Sequence, residues 1–232
     1  MDIRSFEQDR QSRLAALMAL PATPYIPNAA KIFNPKQSAE IGLNFAGVTM
    51  PQSRYPALGT TGLTSSMAVI AYNPVTQATG LAHLTHEGRL EALSSTGEEA
   101  LREMLTKVGG QNTQVRLVGP QLRGPVVDGF INNVLDILSE YEADILSADF
   151  RGKESPHSIA VHAGNWKEGL IRGSLSVFNH SASAIKKGEE MKRRLSEVVP
   201  LAGMVRLEHK NDSRIVYYGE DALQSAPEPV CP

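Results

Sequence analysis

Short apolar runs separated by turn residues occupy the middle of the chain and predict buried strands. Three of them are Met67–Tyr72, Gly80–Leu84 and Val115–Val118. Each has the length of an ordinary strand, and the neighbouring Ser66, Asn73 and Gly119 favour turns. A further strand is predicted at Ala143–Phe150. The pattern changes from residue 57 onward, where a sheet is predicted to begin.

Two longer segments carry apolar residues at the i, i+3, i+4, i+7 spacing of an amphipathic helix. They predict helices at about 97–108 and 128–141. Two last strands, 157–163 and 168–173, are predicted to join at Gly164-Asn165, where a turn would use positive φ. The element order predicts an α/β fold in which a mixed sheet is layered with helices.

The chain divides into four predicted parts. The parts are a partly disordered N-terminal extension at 1–56, a folded domain at 57–173, a C-terminal helix and hairpin at 174–223, and a Pro-rich disordered tail at 224–232. In the N-terminal extension a helix is predicted at about 5–19, followed by a Pro-rich stretch. In the C-terminal addition a helix is predicted at 183–199 and a hairpin from 204–209 and 214–218.

Composition narrows the function classes. With 41% hydrophobic and 21% charged residues among 232, and a net charge of -2, the chain resembles a soluble globular protein and not a nucleic-acid binder. The lone Cys231 excludes an internal disulfide and any cysteine nucleophile inside the folded domain. The longest apolar run ends at Pro21 and is too short to span a membrane. Acidic residues before that run argue against an ordinary secretory signal.

Candidate chemistry is concentrated in Thr60–Pro74 and the following Gly80–Leu84. These segments predict a Gly/Ser/Thr turn, a strand, a tight turn at Asn73-Pro74 and a second strand. A hairpin of this kind can hold Ser66 against the imidazole of His83, which is the minimum apparatus for nucleophilic attack on an amide. A turn-forming serine and a hydrogen-bonded core histidine are the structural alternative.

The segment resembles the core motif of the CheD-like glutamine deamidases, a family related in fold to bacterial deamidase toxins. Their pattern is roughly Thr-Leu-Gly-x-Gly-Ser-Cys-Val-Ala-Val, then Asp-Pro, then a strand with a histidine. The order of elements over about 57–173 is also similar. The resemblance implies Ser66 at the position of the catalytic cysteine, His83 as the histidine and Thr60 as its hydrogen-bonding partner. It further implies substrate-binding roles for three residues of the turn, Gly62, Thr64 and Ser65.

A protein-glutamine deamidase converts Gln to Glu on a protein substrate and uses no cofactor or metal. The resemblance implies such a partner protein, in the bacterial cytoplasm or, for a secreted effector or toxin, in a host cell reached through a specialised system. Because a hydroxyl is a weaker nucleophile than a thiolate, three interpretations of Ser66 stay open. They are a Cys→Ser change that inactivates a deamidase, a natural pseudoenzyme that binds protein without catalysis, and a working serine hydrolase.

Two neighbouring features are weaker candidates. His83 and His86 share a segment, but side chains three positions apart in a strand point to opposite faces, so no metal site is predicted. Asp149, close to Arg151 and His157 in the sequence, is either a pocket residue or part of a solvated ion pair.

Overall fold

The structure is a computed structural model that describes residues 3–26, 37–53, 55–87, 92–109, 112–122, 124–150, 158–173, 205–208 and 214–218. Its α-helices are α1 (Ile3–Met18), α2 (Ser95–Val108) and α3 (Pro125–Glu140). Its strands are β1 (Ser38–Glu40), β2 (Phe45–Thr49), β3 (Ala57–Thr61), β4 (Met67–Tyr72), β5 (Thr79–Leu84), β6 (Gln114–Val118), β7 (Asp144–Asp149), β8 (Ser158–His162), β9 (Ile171–Gly173), β10 (Val205–Glu208) and β11 (Arg214–Tyr218).

These strands form two mixed sheets. The larger sheet has the order β10-β11-β2-β5-β4-β6-β7, and the smaller sheet has the order β1-β3-β8-β9. Strands β4 and β5 form an antiparallel hairpin at the centre of the larger sheet, and β2 pairs antiparallel with the other edge of β5. In the smaller sheet β3 pairs antiparallel with β8. The predicted mixed α/β class is confirmed, and the strands divide between two sheets where one was predicted.

Strand β4 separates two hydrophobic clusters because both of its faces are buried. Met67, Val69 and Ala71 belong to the cluster that contains the inward faces of α2 and α3. Ala68 and Ile70 belong to a second cluster together with side chains of β3 and β8 from the smaller sheet. The layers are therefore the smaller sheet, the larger sheet and the helices. A strand buried on both faces reads as a continuous apolar run, which is why the sequence pattern located it.

Local sequence explains where α2 begins and ends. The Ser94 side chain accepts a hydrogen bond from the Gly97 N–H at 3.1 Å, which is an N-cap. At the other end Gly109 has a φ of 122°, which favours glycine. The predicted helices 97–108 and 128–141 correspond to α2 and α3 within three residues at each end.

The predicted boundary at residue 57 does not separate the N-terminal segment from the folded domain. Strand β2, from within the predicted extension, lies beside β5 in the larger sheet, and β1 pairs with β3 in the smaller one. Both strands are short, and the β2 sequence Phe-Ala-Gly-Val-Thr contains small residues and an internal glycine. Such a segment has low intrinsic strand preference, and its pairing depends on tertiary contacts that no local pattern shows.

The predicted turn at Gly164-Asn165 is wrong in its geometry. Residues Ala163–Glu168 form a 3-10 helix, and Asn165 has a φ of -119°. The positive φ of this connection lies at Gly169, where an added Cβ would be 2.2 Å from the Pro24 carbonyl oxygen. The N-terminal segment passes so close to Gly169 that the backbone needs a glycine there, and the sequence of the hairpin alone could not indicate that approach.

The predicted C-terminal hairpin corresponds to β10 and β11, which pair antiparallel. Strand β11 also pairs parallel with β2, so this hairpin extends the larger sheet. The predicted helix at 183–199 and the predicted disordered tail at 224–232 lie outside the described residues. Within the described part of the chain, no helix combines the length and the hydrophobicity needed to cross a bilayer.

Candidate functional site

The β4–β5 hairpin brings Ser66 and His83 together. Ser66 immediately precedes β4, and His83 on β5 lies directly opposite Ala68. Side chains two positions apart on a strand point to the same face, so Ser66, Ala68 and His83 all face the smaller sheet. The Ser66 Oγ lies 2.7 Å from the His83 Nε2, which places the two side chains in hydrogen-bond contact as predicted.

The smaller sheet supplies the partner for the other ring nitrogen. Thr60 lies on β3, and its Oγ1 is 2.7 Å from the His83 Nδ1. The site therefore spans both sheets, with one group on β3 and two on the β4–β5 hairpin. All three side chains are buried: 0% of Thr60, 2% of Ser66 and 4% of His83 is exposed. Both contacts of the His83 ring were predicted, but the position of Thr60 on a separate sheet was not.

Main-chain contacts indicate the protonation of the His83 ring. The Thr60 hydroxyl donates to the Ile41 carbonyl oxygen at 2.6 Å. A hydroxyl has one proton, so with this bond made Thr60 can only accept from the ring. Nδ1 then carries hydrogen, and in a neutral ring Nε2 is an acceptor. The hydroxyl of Ser66 therefore donates to Nε2, which is the arrangement of a nucleophile beside its base.

The Ser66 hydroxyl has a second acceptor within reach. Its Oγ lies 3.1 Å from the Gly62 carbonyl oxygen, farther than from Nε2. The single serine proton serves one acceptor at a time. The contact with Nε2 is the shorter of the two, and the Gly62 carbonyl is the acceptor that remains when Nε2 carries a proton.

A loop after β6 supports the turn that carries Ser66. The Gln121 N–H donates to the Thr64 carbonyl oxygen at 2.9 Å, and the Leu122 N–H donates to the same oxygen at 3.3 Å. Gly119 has a φ of 71°, and a Cβ added to it would be 2.7 Å from the Ser66 carbonyl oxygen. Only glycine fits this close approach without moving the turn. Sequence analysis missed Gly119 because its role depends on a neighbour 53 positions away in the chain.

A second loop, between β1 and β2, supports the histidine. The Asn44 N–H donates to the His83 carbonyl oxygen at 2.6 Å, and the Ile41 carbonyl accepts from Thr60. The Asn44 side chain also accepts from the Ser94 hydroxyl at 3.0 Å, which connects this loop to the start of α2. The sequence analysis assigned residues 41–44 to an extension, although they fix the backbone of His83 and the orientation of Thr60.

The three predicted substrate-binding residues lie in the turn above the buried array. Gly62 and Thr64 are exposed, and Ser65 is half-buried. The Thr64 N–H donates to the Gly62 carbonyl oxygen at 2.9 Å, and Gly62 has a φ of 86°, which a residue with a side chain adopts only with strain. The turn is therefore the exposed part of the site.

The side chains of His83 and His86 face opposite sides of their segment, as their spacing predicts. The His86 ring lies edge-on to Phe130 of α3, with 6.2 Å between the ring centroids, whereas His83 faces the smaller sheet. Among the described residues, no group of three or more His, Cys, Asp or Glu side chains could hold a metal ion. Asp149 accepts a hydrogen bond from the hydroxyl of Tyr25, and the residues it neighbours in sequence, Arg151 and His157, lie outside the described ranges.

No protein-family model matches this sequence, and no curated protein is similar to it. The resemblance to the CheD-like deamidases rests on the motif around Ser66, on His83 and on the order of elements.

Proposed function

We propose that the Thr60–His83–Ser66 array is the site of a protein-glutamine deamidase, with serine at the nucleophile position. The observation that carries the proposal is the continuous set of contacts from the Ile41 carbonyl through Thr60 and both nitrogens of His83 to Ser66. A base held in one tautomer against a hydroxyl is the arrangement that nucleophilic attack on an amide carbon requires. Motif and element order support the same reaction.

The burial of the array favours a side-chain amide over a peptide bond as its substrate. Only 2% of Ser66 is exposed, and it lies beneath the turn that begins at Gly62. A peptide bond is flanked by main chain on both sides and approaches a buried hydroxyl with difficulty. The carboxamide of glutamine stands at the end of two methylene groups and can reach below the surface. Backbone N–H groups of the turn are suitable donors for the oxyanion.

The chemistry of the array suits a thiolate better than a hydroxyl. A thiolate at position 66 accepts from Nε2–H, Nδ1–H donates to Thr60, and Thr60 donates to Ile41, so each proton has one acceptor. Serine instead depends on His83 as a base, and Thr60 is a neutral group that does not stabilise an imidazolium as a carboxylate does. We expect little or no hydrolytic activity from the chain with Ser66.

The neutral Thr60 also favours a second candidate function, a non-catalytic protein-binding module. In that case the array is structural, and the exposed turn at Gly62 and Thr64 contacts a partner without reaction. The two functions differ in what a thiol at position 66 would do. A binding module gains no activity from it, and a deamidase site does.

The test is deamidation by a Ser66→Cys variant, prepared in a Cys231→Ser background so that it carries one thiol. Candidate protein substrates and glutamine peptides are incubated with it, and ammonia release and the mass increase of about one dalton at glutamine are measured. The matched control is Ser65→Cys, which moves the thiol by one position. The proposal predicts deamidation by the Ser66→Cys protein alone, and its loss on His83→Gln. Equal activity of both thiol variants, or no activity of either on any substrate, would overturn it.

A further inference from the structure

Exposed large hydrophobic side chains adjoin the proposed site on two sides. Among the described residues four such side chains are exposed by half or more: Met18 by 52%, Leu43 by 50%, Val75 by 80% and Leu122 by 50%. Single exposed apolar residues are ordinary on protein surfaces. The position of two of them, Leu43 and Leu122, relative to the Thr60–His83–Ser66 array makes them informative.

Leu43 belongs to the loop that holds the histidine. The carbonyl of Ile41, two residues before it, accepts from Thr60 at 2.6 Å. The N–H of Asn44, one residue after it, donates to the His83 carbonyl at 2.6 Å. The loop is thus tied on both sides of Leu43 to members of the array, while the Leu43 side chain faces solvent.

Leu122 belongs to the loop that holds the turn. Its own N–H donates to the Thr64 carbonyl at 3.3 Å, and the neighbouring Gln121 N–H donates to the same oxygen at 2.9 Å. Gly119 of this loop meets the Ser66 carbonyl oxygen at a distance that excludes a side chain. Leu122 is therefore hydrogen-bonded directly to the turn through its own N–H. Leu43, in contrast, is held near the site by the contacts of its neighbours with Thr60 and His83.

Three segments frame the array: Ile41–Asn44 in the first loop, 61–65 in the turn and 119–122 in the second loop. Their sequences are Ile-Gly-Leu-Asn, Thr-Gly-Leu-Thr-Ser and Gly-Pro-Gln-Leu, so main-chain groups and small polar side chains accompany the two leucines. A surface of this kind gains free energy when its exposed apolar groups are covered.

We infer that Leu43 and Leu122 select the residues beside the target glutamine and favour a protein segment in which apolar side chains flank that glutamine. This inference rests on the proposed deamidase function. Docking covers the exposed half of each leucine, which favours apolar side chains beside the glutamine. The selection acts mainly on binding, because neither leucine contacts the reacting atoms.

The experiment uses the Ser66→Cys, Cys231→Ser protein and three short peptides that differ only beside a central glutamine: leucines, serines or glutamates. We expect kcat/KM for the leucine peptide to exceed that for the serine peptide by about tenfold, since burying part of each leucine contributes on the order of 1 kcal/mol. Leu43→Ser and Leu122→Ser should each remove several-fold of this preference through KM. The matched controls are Met18→Ser and Val75→Ser, which should leave it unchanged.

The result separates this inference from the proposed function. Deamidation of all three peptides at equal rates leaves the function standing and overturns the role of the leucines. So does a preference that Leu43→Ser and Leu122→Ser do not alter. If no peptide is deamidated, the proposed function and the inference that rests on it are both overturned.

Discussion

At the scale of single residues, Thr60 has two hydrogen-bonding tasks that a nonpolar side chain cannot perform. It donates to the Ile41 carbonyl and accepts from the Nδ1–H of His83, and it is fully buried. Through these contacts it holds the ring in the tautomer that presents Nε2 to Ser66. Its isostere valine would preserve the packing and remove both bonds.

We predict that Thr60→Val lowers the free energy of unfolding by about 1–3 kcal/mol, because two buried polar groups lose their partner. In the Ser66→Cys, Cys231→Ser background it should also slow alkylation of the thiol. Thermal unfolding and alkylation rates measure the two effects. Thr61→Val, one residue away on β3 and only half-buried, is the control and should change neither quantity appreciably. A Thr60→Val protein with unchanged thiol reactivity would show that the threonine has no part in orienting the ring.

The residues of the array were predictable because they lie in one continuous motif. Ser66 and His83 belong to a single hairpin, and the pairing of β4 with β5 follows from their adjacent apolar runs. Gly119 and Asn44 were not predictable. Each acts through its main chain on a residue distant in sequence. Any residue type can make a main-chain contact, so the sequence does not reveal one unless the backbone conformation requires glycine.

At the scale of elements, the loop after β6 sets the position of the turn before β4. Gly119 adopts a φ of 71° and packs against the Ser66 carbonyl. Gly124, at the end of the same loop, has a φ of 139° and nothing within 4 Å of where its Cβ would lie. Both glycines have a positive φ that residues with a side chain rarely adopt. Of the two, only Gly119 contacts the site.

We predict that Gly119→Ala and Gly124→Ala both lower stability by about 1–3 kcal/mol through backbone strain. Only Gly119→Ala should in addition displace the turn and reduce the reactivity of a thiol at position 66. Thermal unfolding compares the strain, and alkylation rates report on the site. Equal reactivity in the two alanine variants would mean that the contact between Gly119 and Ser66 is not needed to place the nucleophile.

Element prediction succeeded where burial made the pattern simple and failed where pairing was long-range. Strand β4 is an apolar run with turn residues at its ends, and α2 has both an N-cap and a C-terminal glycine. Strand β2 has neither feature, yet it pairs with β5 and β11. The division into two sheets also escaped prediction, since periodicity shows which faces are buried and not which layer buries them.

At the scale of the whole molecule, the segment before β1 connects both sheets. The N–H of Ile26 donates to the Leu170 carbonyl at 2.8 Å, next to β9 of the smaller sheet. The N–H of Thr23 donates to the Asp149 carboxylate at 3.3 Å, at the end of β7 in the larger sheet. The Tyr25 hydroxyl donates to the other oxygen of that carboxylate. This N-terminal segment therefore connects the smaller sheet to the larger sheet through hydrogen bonds.

Burial, followed by the hydrogen bond to Asp149, raises the pKa of Tyr25 above its ordinary value of about 10. The folded state holds the phenol proton more tightly than the unfolded state. Its contribution to stability is thus complete below about pH 10 and is lost as the pH rises toward the folded pKa.

We predict that Tyr25→Phe is destabilising at neutral pH and that its difference in melting temperature from the parent protein shrinks above about pH 10. Tyr141→Phe, at the C-terminal end of α3, is the control. Its hydroxyl contacts Thr106 at an exposed position, so a small effect is expected. If the difference in melting temperature between Tyr25→Phe and the parent protein stayed constant from pH 7 to 11, the phenol proton of Tyr25 would have no part in connecting the two sheets.

The reactivity of a thiol at position 66 tests the proposed site most directly. The Ser66→Cys, Cys231→Ser protein is alkylated with iodoacetamide across the pH range, beside Ser65→Cys in the same background. We predict a thiolate that persists well below the ordinary thiol pKa of about 8.5, and a loss of this reactivity on His83→Gln. A thiol at position 66 that titrates like the one at position 65, with no dependence on His83, would contradict the catalytic interpretation and leave the binding module as the function of this fold.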